Sequence, residues 1–269
     1  MASSFSKLTV ATGLATGALL SFVTQANAQG FGFQFSTTYL ENSSPKGDIL
    51  LESVTVGNEI IDEFSYVSSA AIVYNDPFVG GNSGAASADT GDNATGGRRV
   101  EDATAEDIVA NLSTNNLNHI IDTEDNGTFV IDLKFGKTID NLLIWERGMN
   151  SKIGIQAVDA FGQLVGNRLV IEKNMWFNAG YSIDTSEIGS AQKVGSLGIN
   201  ILADLGVESG AVETIRFFSD GKAFNGPDWK FVGTDSTRNE AESVPEPALA
   251  LGLGVFGSIL MLKKRNQAA

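Results

Sequence analysis

Cysteine is absent from the chain, which excludes disulfides, thiolate metal sites and cysteine nucleophiles. Histidine is almost absent. The single His119 leaves little to build a zinc site or a Ser-His-Asp triad from. Also missing are a Gly-x-Ser-x-Gly elbow, a P-loop and a His-Glu-x-x-His pair, the motifs that would announce common hydrolytic or nucleotide chemistry. Proline is scarce, with five residues against 30 glycines, as suits strands joined by tight turns. Basic residues are few, 18 against 32 acidic. Setting aside residues 1–28 and 244–269 removes four basic residues and one acidic one, leaving 14 and 31, a net charge of −17. Such a surface repels phosphate backbones, so nucleic acid is not an expected partner. It attracts divalent cations and keeps an exported protein soluble.

Long apolar runs occur only at the two ends. After Lys7, an apolar stretch from Leu8 to Val23 is followed by Ala26, Asn27 and Ala28 ahead of Gln29. A basic start, an apolar centre and an Ala-x-Ala site describe a secretory signal peptide. The expectation is a signal helix over 1–28, cut by signal peptidase after Ala28. At the other end Val244, Pro245, Glu246 and Pro247 precede an apolar run over 248–262, closed by Lys263, Lys264 and Arg265. As a helix this run spans roughly 22 Å, short of a ~30 Å hydrocarbon core. The basic cluster is expected to stay cytoplasmic, with everything between the two ends outside the cytoplasm.

The order Pro-Glu-Pro, short apolar helix and basic tail resembles the PEP-CTERM sorting signal. The resemblance implies processing by exosortase, a membrane transpeptidase-like enzyme. In it Pro245, Glu246 and Pro247 are the recognition element and Lys263, Lys264 and Arg265 the basic tail.

Between the ends, short segments rich in β-branched and aromatic residues alternate with turn residues. The expected strands are 31–40, 49–56, 60–67, 71–74, 128–135, 141–147, 152–159, 168–173, 194–202, 212–219 and 229–232, with Gly57-Asn58 as a hairpin turn. Thr104 is expected to cap a short helix ending at Leu112. Residues 76–99, made of Gly, Ser, Asn, Asp and Ala, read as one long loop, and 234–243 as a polar tether. These elements predict an all-β fold, an antiparallel β-sandwich or jelly roll over 29–233. The segment from Gly127 to Trp145, continued by Ile153 to Asp159 and Phe161-Gly162, resembles galactose-binding-like jelly rolls. Glu146 to Ser151 and Gly226 to Gly233 are similar to exosortase-dependent surface proteins of cyanobacteria.

Two acidic clusters are candidate calcium sites, one with Asp89 and Asp92, the other with Asp122, Glu124 and Asp125. Carboxylates on turns can supply the hard oxygens calcium takes, although neither cluster has EF-hand spacing. The alternative is ordinary turn chemistry. Glu146 and Arg147, an acid beside a base at a strand end, are candidate ligand contacts together with Asn150. Trp176, Phe177, Tyr181 and Trp229 are candidate stacking residues, unless they lie in the core as aromatics in β proteins usually do. The reading is an exported, non-enzymatic surface or extracellular-matrix protein that contacts polysaccharide. Its alternatives are a calcium-stabilised carbohydrate-binding module and a secreted hydrolase.

Overall fold

The computed structural model describes residues 30–42 and 45–235. The signal helix, Ala26, Ala28, Gln29, the sorting signal and the membrane segment 248–262 lie outside the described residues. Among the described residues no helix is long and apolar enough to cross a membrane.

Along the chain run β1 (Ser36–Asn42), β2 (Asp48–Val56), β3 (Glu59–Ile61), β4 (Val67–Asn75) and β5 (Ala86–Thr90). After α1 (Ala105–Leu112) come β6 (His119–Thr123), β7 (Thr128–Ile139), β8 (Asn141–Arg147), β9 (Ile153–Val158) and β10 (Leu164–Ile171). The last strands are β11 (Phe177–Ile183), β12 (Gln192–Asn200), β13 (Val212–Asp220) and β14 (Trp229–Thr234). All pairings are antiparallel, in a three-stranded sheet β1-β2-β3, a five-stranded sheet β10-β9-β13-β7-β4 and a six-stranded sheet β11-β12-β8-β14-β6-β5.

The chain is therefore an all-β sandwich, and it has a third layer. Within β8, Leu142 and Ile144 face the core shared with the five-stranded sheet, while Leu143 and Trp145 face the core shared with β1–β3. A strand alternates its side chains between faces, so an unbroken apolar run such as Leu142 to Trp145 is what a strand covered on both sides needs. Trp145 packs edge-on against Phe35 at 5.3 Å and donates its indole N–H to Thr37 Oγ1 at 3.0 Å. On the opposite face Trp229 stacks on Phe217, 5.6 Å between centroids. Each such fully buried side chain contributes about 1.5–3 kcal/mol.

By contrast, β7 is half-buried. Phe129, Ile131, Leu133 and Phe135 point inward while Asp132 and Lys134 point out. α1 packs against β4, β5 and β6. Thr104 and Asp107 form a reciprocal capping box at its start, which satisfies two otherwise orphaned amides.

Several strands differ from the sequence expectation. β5 lies inside 76–99, so that stretch is not one loop. Its Ala-Ser-Ala-Asp-Thr sequence has weak strand propensity, yet it pairs along β6 and is buried throughout. β6, His119–Thr123, lies in a stretch where no strand was expected. β11 was hidden by Asn178 and Gly180, which break its pattern. The segment 60–67 is not continuous, because β3 ends at Ile61 and β4 begins at Val67.

Candidate functional site

The end of β8 carries the two residues with the strongest chemical character, and the pleat sends them to opposite faces. Arg147 points to the β1–β3 side, as does its cross-strand partner Val194 on β12. Its Nη2 donates to Asp122 Oδ2 at 2.6 Å and to Asp228 Oδ2 at 2.7 Å, and its Nε reaches the same Asp228 oxygen at 3.1 Å. Nη1 donates to Thr185 Oγ1 and lies 3.8 Å from Asp89 Oδ2. One guanidinium thus ties β8 to β5 through Asp89, to β6 through Asp122, to the entry of β14 through Asp228 and to the exit of β11 through Thr185. Its rigid five-donor fork suits it to such a junction, where a lysine could not serve as many partners.

The site is sealed. Arg147 is 5% exposed and Asp89 1%. Burial works against the Arg147 charge, but Asp228, Asp122 and Asp89 outweigh it and raise its pKa. One cation faces three carboxylates. Burial, together with the charge of Asp122, pushes Asp228 well above the usual carboxylate range, and burial likewise raises Asp89. Glu187 hangs over the cluster, its Oε1 3.5 Å from Ser87 Oγ. The residue is exposed, but partial desolvation of its carboxyl against the cluster and the charges of Asp122, Glu101 and Asp89 push it up to about 9.

Glu146 enters the other core. It is 0% exposed, opposite Trp229 on β14 and Gly195 on β12. Neither carboxyl oxygen has a well-formed hydrogen bond. Burial pushes its pKa up to about 8, opposed by the nearby Ser151 hydroxyl and the backbone amides of Met149 and Asn150. Those amides approach because the chain turns sharply after Arg147, with Gly148 at φ 102° and Met149 at φ 56°. A left-handed Met is uncommon. The turn is held by Ser151 Oγ, 2.6 Å from the Asn225 carbonyl oxygen and 3.0 Å from that of Gly226.

The sequence candidates therefore separate. Asp89 and Asp122 do come together, but around Arg147. Asp92 is apart from them, 2.5 Å from Lys46 Nζ in a half-exposed ion pair. Glu124 is half-buried and Asp125 exposed in the turn between β6 and β7. Among the described residues no group of three or more His, Asp or Glu is placed to hold a metal ion. Asn150 is exposed while Glu146 and Arg147 are not, so the three do not form one surface. Trp176, Tyr181 and Trp229 are core residues, 6%, 6% and 0% exposed, and Phe177 is half-buried. They offer no stacking platform.

Three participants went unseen in the sequence. Asp228 precedes an apolar strand, and Thr185 has no distinguishing pattern. Lys230 is the third, 0% exposed within β14, its Nζ donating to the Asn111 carbonyl in the last turn of α1. A lysine inside Trp229-Lys230-Phe231-Val232 was a legible anomaly. Burial brings its pKa down to about 7. A second buried network links β2 to β6. Asp48 accepts from Thr95 and from Asn116, whose Nδ2 lies 3.0 Å from His119 Nε2. Burial, followed by the charge of Lys230, lowers His119 to about 4.

No protein-family model matches the chain, and no curated protein matches it.

Proposed function

We propose that the chain is an exported surface or extracellular-matrix protein that works without catalysis and contacts polysaccharide. Its ends support export and sorting. The Ala26, Asn27 and Ala28 site suits signal peptidase, and Pro245, Glu246 and Pro247 with the basic tail Lys263, Lys264 and Arg265 suit exosortase, the segment 248–262 serving as a transient inner-membrane anchor. The observation that carries the non-catalytic reading is the burial of Glu146 and Arg147. Arg147 braces the sheets, Glu146 is enclosed in the core, and neither presents a charge to a substrate. The crossing of the chain between the six- and five-stranded sheets, at β6 to β7 to β8 to β9 and again at β12 to β13 to β14, supports the jelly-roll reading.

Mass spectrometry of the native protein, fractionated with and without exosortase, tests this. The expected mature species begins at Gln29 and lacks the segment after Pro247. An intact chain from Met1 to Ala269 in the cytosol overturns export.

A further inference from the structure

Asn-Gly occurs twice in the chain, at Asn126-Gly127 and at Asn225-Gly226. Both asparagines are exposed and both glycines buried. The two pairs lie close together, since Gly226 packs on the β6–β7 turn that carries Asn126. A Cβ added at Gly226 would sit 2.2 Å from the Thr123 carbonyl oxygen and 3.0 Å from the Asp125 amide nitrogen. What separates the two pairs is the glycine amide. Gly127 donates its N–H to the Glu124 carbonyl at 2.8 Å. Among the described residues, neither the Gly226 N–H nor the Asn225 side chain makes a hydrogen bond within the chain.

The fold itself dictates the second pair. Asn225 stands at φ 59° and Gly226 at φ 50°, a left-handed region that Asn and Asp enter more readily than other residues with side chains. The approach to Thr123 leaves no room for a side chain at 226. This short segment also anchors the turn after β8. Ser151 Oγ reaches the Asn225 and Gly226 carbonyls, and the Phe224 carbonyl accepts the Lys152 amide at 2.8 Å. Just beyond it, Asp228 holds Arg147. A thermally labile residue therefore sits, with its attacking amide unengaged, on the support of the buried ion cluster.

We infer that Asn225 is a site of self-modification. The Gly226 nitrogen attacks Cγ of Asn225, and the new C–N bond closes a five-membered imide. The Cγ–Nδ2 bond breaks, and ammonia leaves with the proton given up by Gly226. Water then opens the imide to aspartate or isoaspartate. Isoaspartate adds a methylene to the main chain between the two carbonyls that Ser151 grips. Either product adds a carboxylate beside a cluster in which Arg147 already faces Asp89, Asp122 and Asp228. Conversion thus loosens the turn after β8 and the hold of Asp228 on Arg147, and elapsed time is the trigger.

Storage of the purified full chain at pH 9, sampled by peptide mapping and mass spectrometry, tests this. The Asn225 peptide should gain the mass difference between an amide and a carboxyl about tenfold faster than the Asn126 peptide, roughly the factor that one hydrogen bond on the attacking amide is worth. In urea, where that bond is lost, the two rates should converge. Hydrogen exchange on the aged chain should quicken at the Arg147 and Lys152 amides, which donate to the Asp228 and Phe224 carbonyls. Asn225→Gly keeps the left-handed turn without a side-chain amide, and its exchange should stay constant through the same storage. Conversion of Asn126 as fast as Asn225 in the folded chain overturns the assignment, as does an Asn225 still intact once the urea sample has reacted. Full conversion with unchanged exchange at Arg147 and Lys152 overturns the loosening.

Discussion

Asp228 Oδ2 receives two donors from Arg147, Nη2 at 2.7 Å and Nε at 3.1 Å, across a separation of 81 residues. The same carboxyl accepts, through Oδ1, the amide of Thr123 at 2.9 Å. Asp228 thereby couples β8, β6 and β14 at one end of the central sheet. Removing the guanidinium would leave buried carboxylates facing one another. Arg147→Met is expected to destabilise the fold by about 3–5 kcal/mol, the usual cost of orphaning a buried charge. Asp228→Asn, which keeps an acceptor for Thr123, should cost less. Urea denaturation of both variants measures the difference, and equal midpoints for Arg147→Met and the wild type would contradict the junction role.

Glu146 predicts a pH dependence with a definite sign. Its pKa is raised from 4.5 to about 8, so the folded chain keeps a proton that the unfolded chain releases. Its contribution is fully present below pH 4.5 and is lost as pH rises through about 8. Glu146→Gln keeps the neutral shape and cannot ionise. Its melting temperature should exceed that of the wild type at pH 8.5 and converge on it near pH 4.5.

Lys230 predicts the opposite slope. Its folded value is lowered from 10.5 to about 7. Below pH 7 the buried ammonium opposes folding to its full extent, and that penalty fades as pH climbs to 10.5. Lys230→Met should therefore raise the melting temperature at pH 6. The gain should shrink toward pH 10.5, where only the lost bond to the Asn111 carbonyl remains. Thermal scans at the two pH values read both effects.

A local test concerns α1. Thr104 accepts the Asp107 amide while Asp107 accepts the Thr104 amide and hydroxyl. Thr104→Ala should cost about 0.5–2 kcal/mol. The loss should appear in hydrogen exchange as faster amides at the start of α1, with β8 and β14 unaffected.

Much of the fold was legible because its strands advertise themselves by local pattern. β8 was read at its observed bounds, since its apolar run Leu142 to Trp145 is flanked by Asn141 on one side and by Glu146 and Arg147 on the other. The Gly57-Asn58 turn and the Thr104 cap carry their own chemistry. β5 was missed for the same reason in reverse: its alanines, serine and aspartate form a strand through pairing and cover from other layers, which no local window records. β6, with Ile120, Ile121 and Thr123, is only five residues long and opens on a polar stretch. The third layer was also invisible, although the double-faced run in β8 was its trace. At the candidate site Glu146 and Arg147 were picked out by type and position. Their opposite directions follow from the pleat, but what they meet depends on Asp228, Thr185 and Trp229, all distant in sequence. Asp89 and Asp122 drew notice as a possible cation site, and the cation they meet is one the chain itself provides.

The final strand has a consequence for the order of events. β14 lies between β8 and β6 in the central sheet, and its side chains feed both cores. Until residue 234 is available, β8 and β6 have no neighbour to join them, and the Asp228 end of the Arg147 junction is missing. Pairings this distant in sequence close slowly. A ribosome or a translocation pore that delivers the chain from its N-terminus would therefore handle a polypeptide that has not yet locked, and the lock would turn only as β14 arrived.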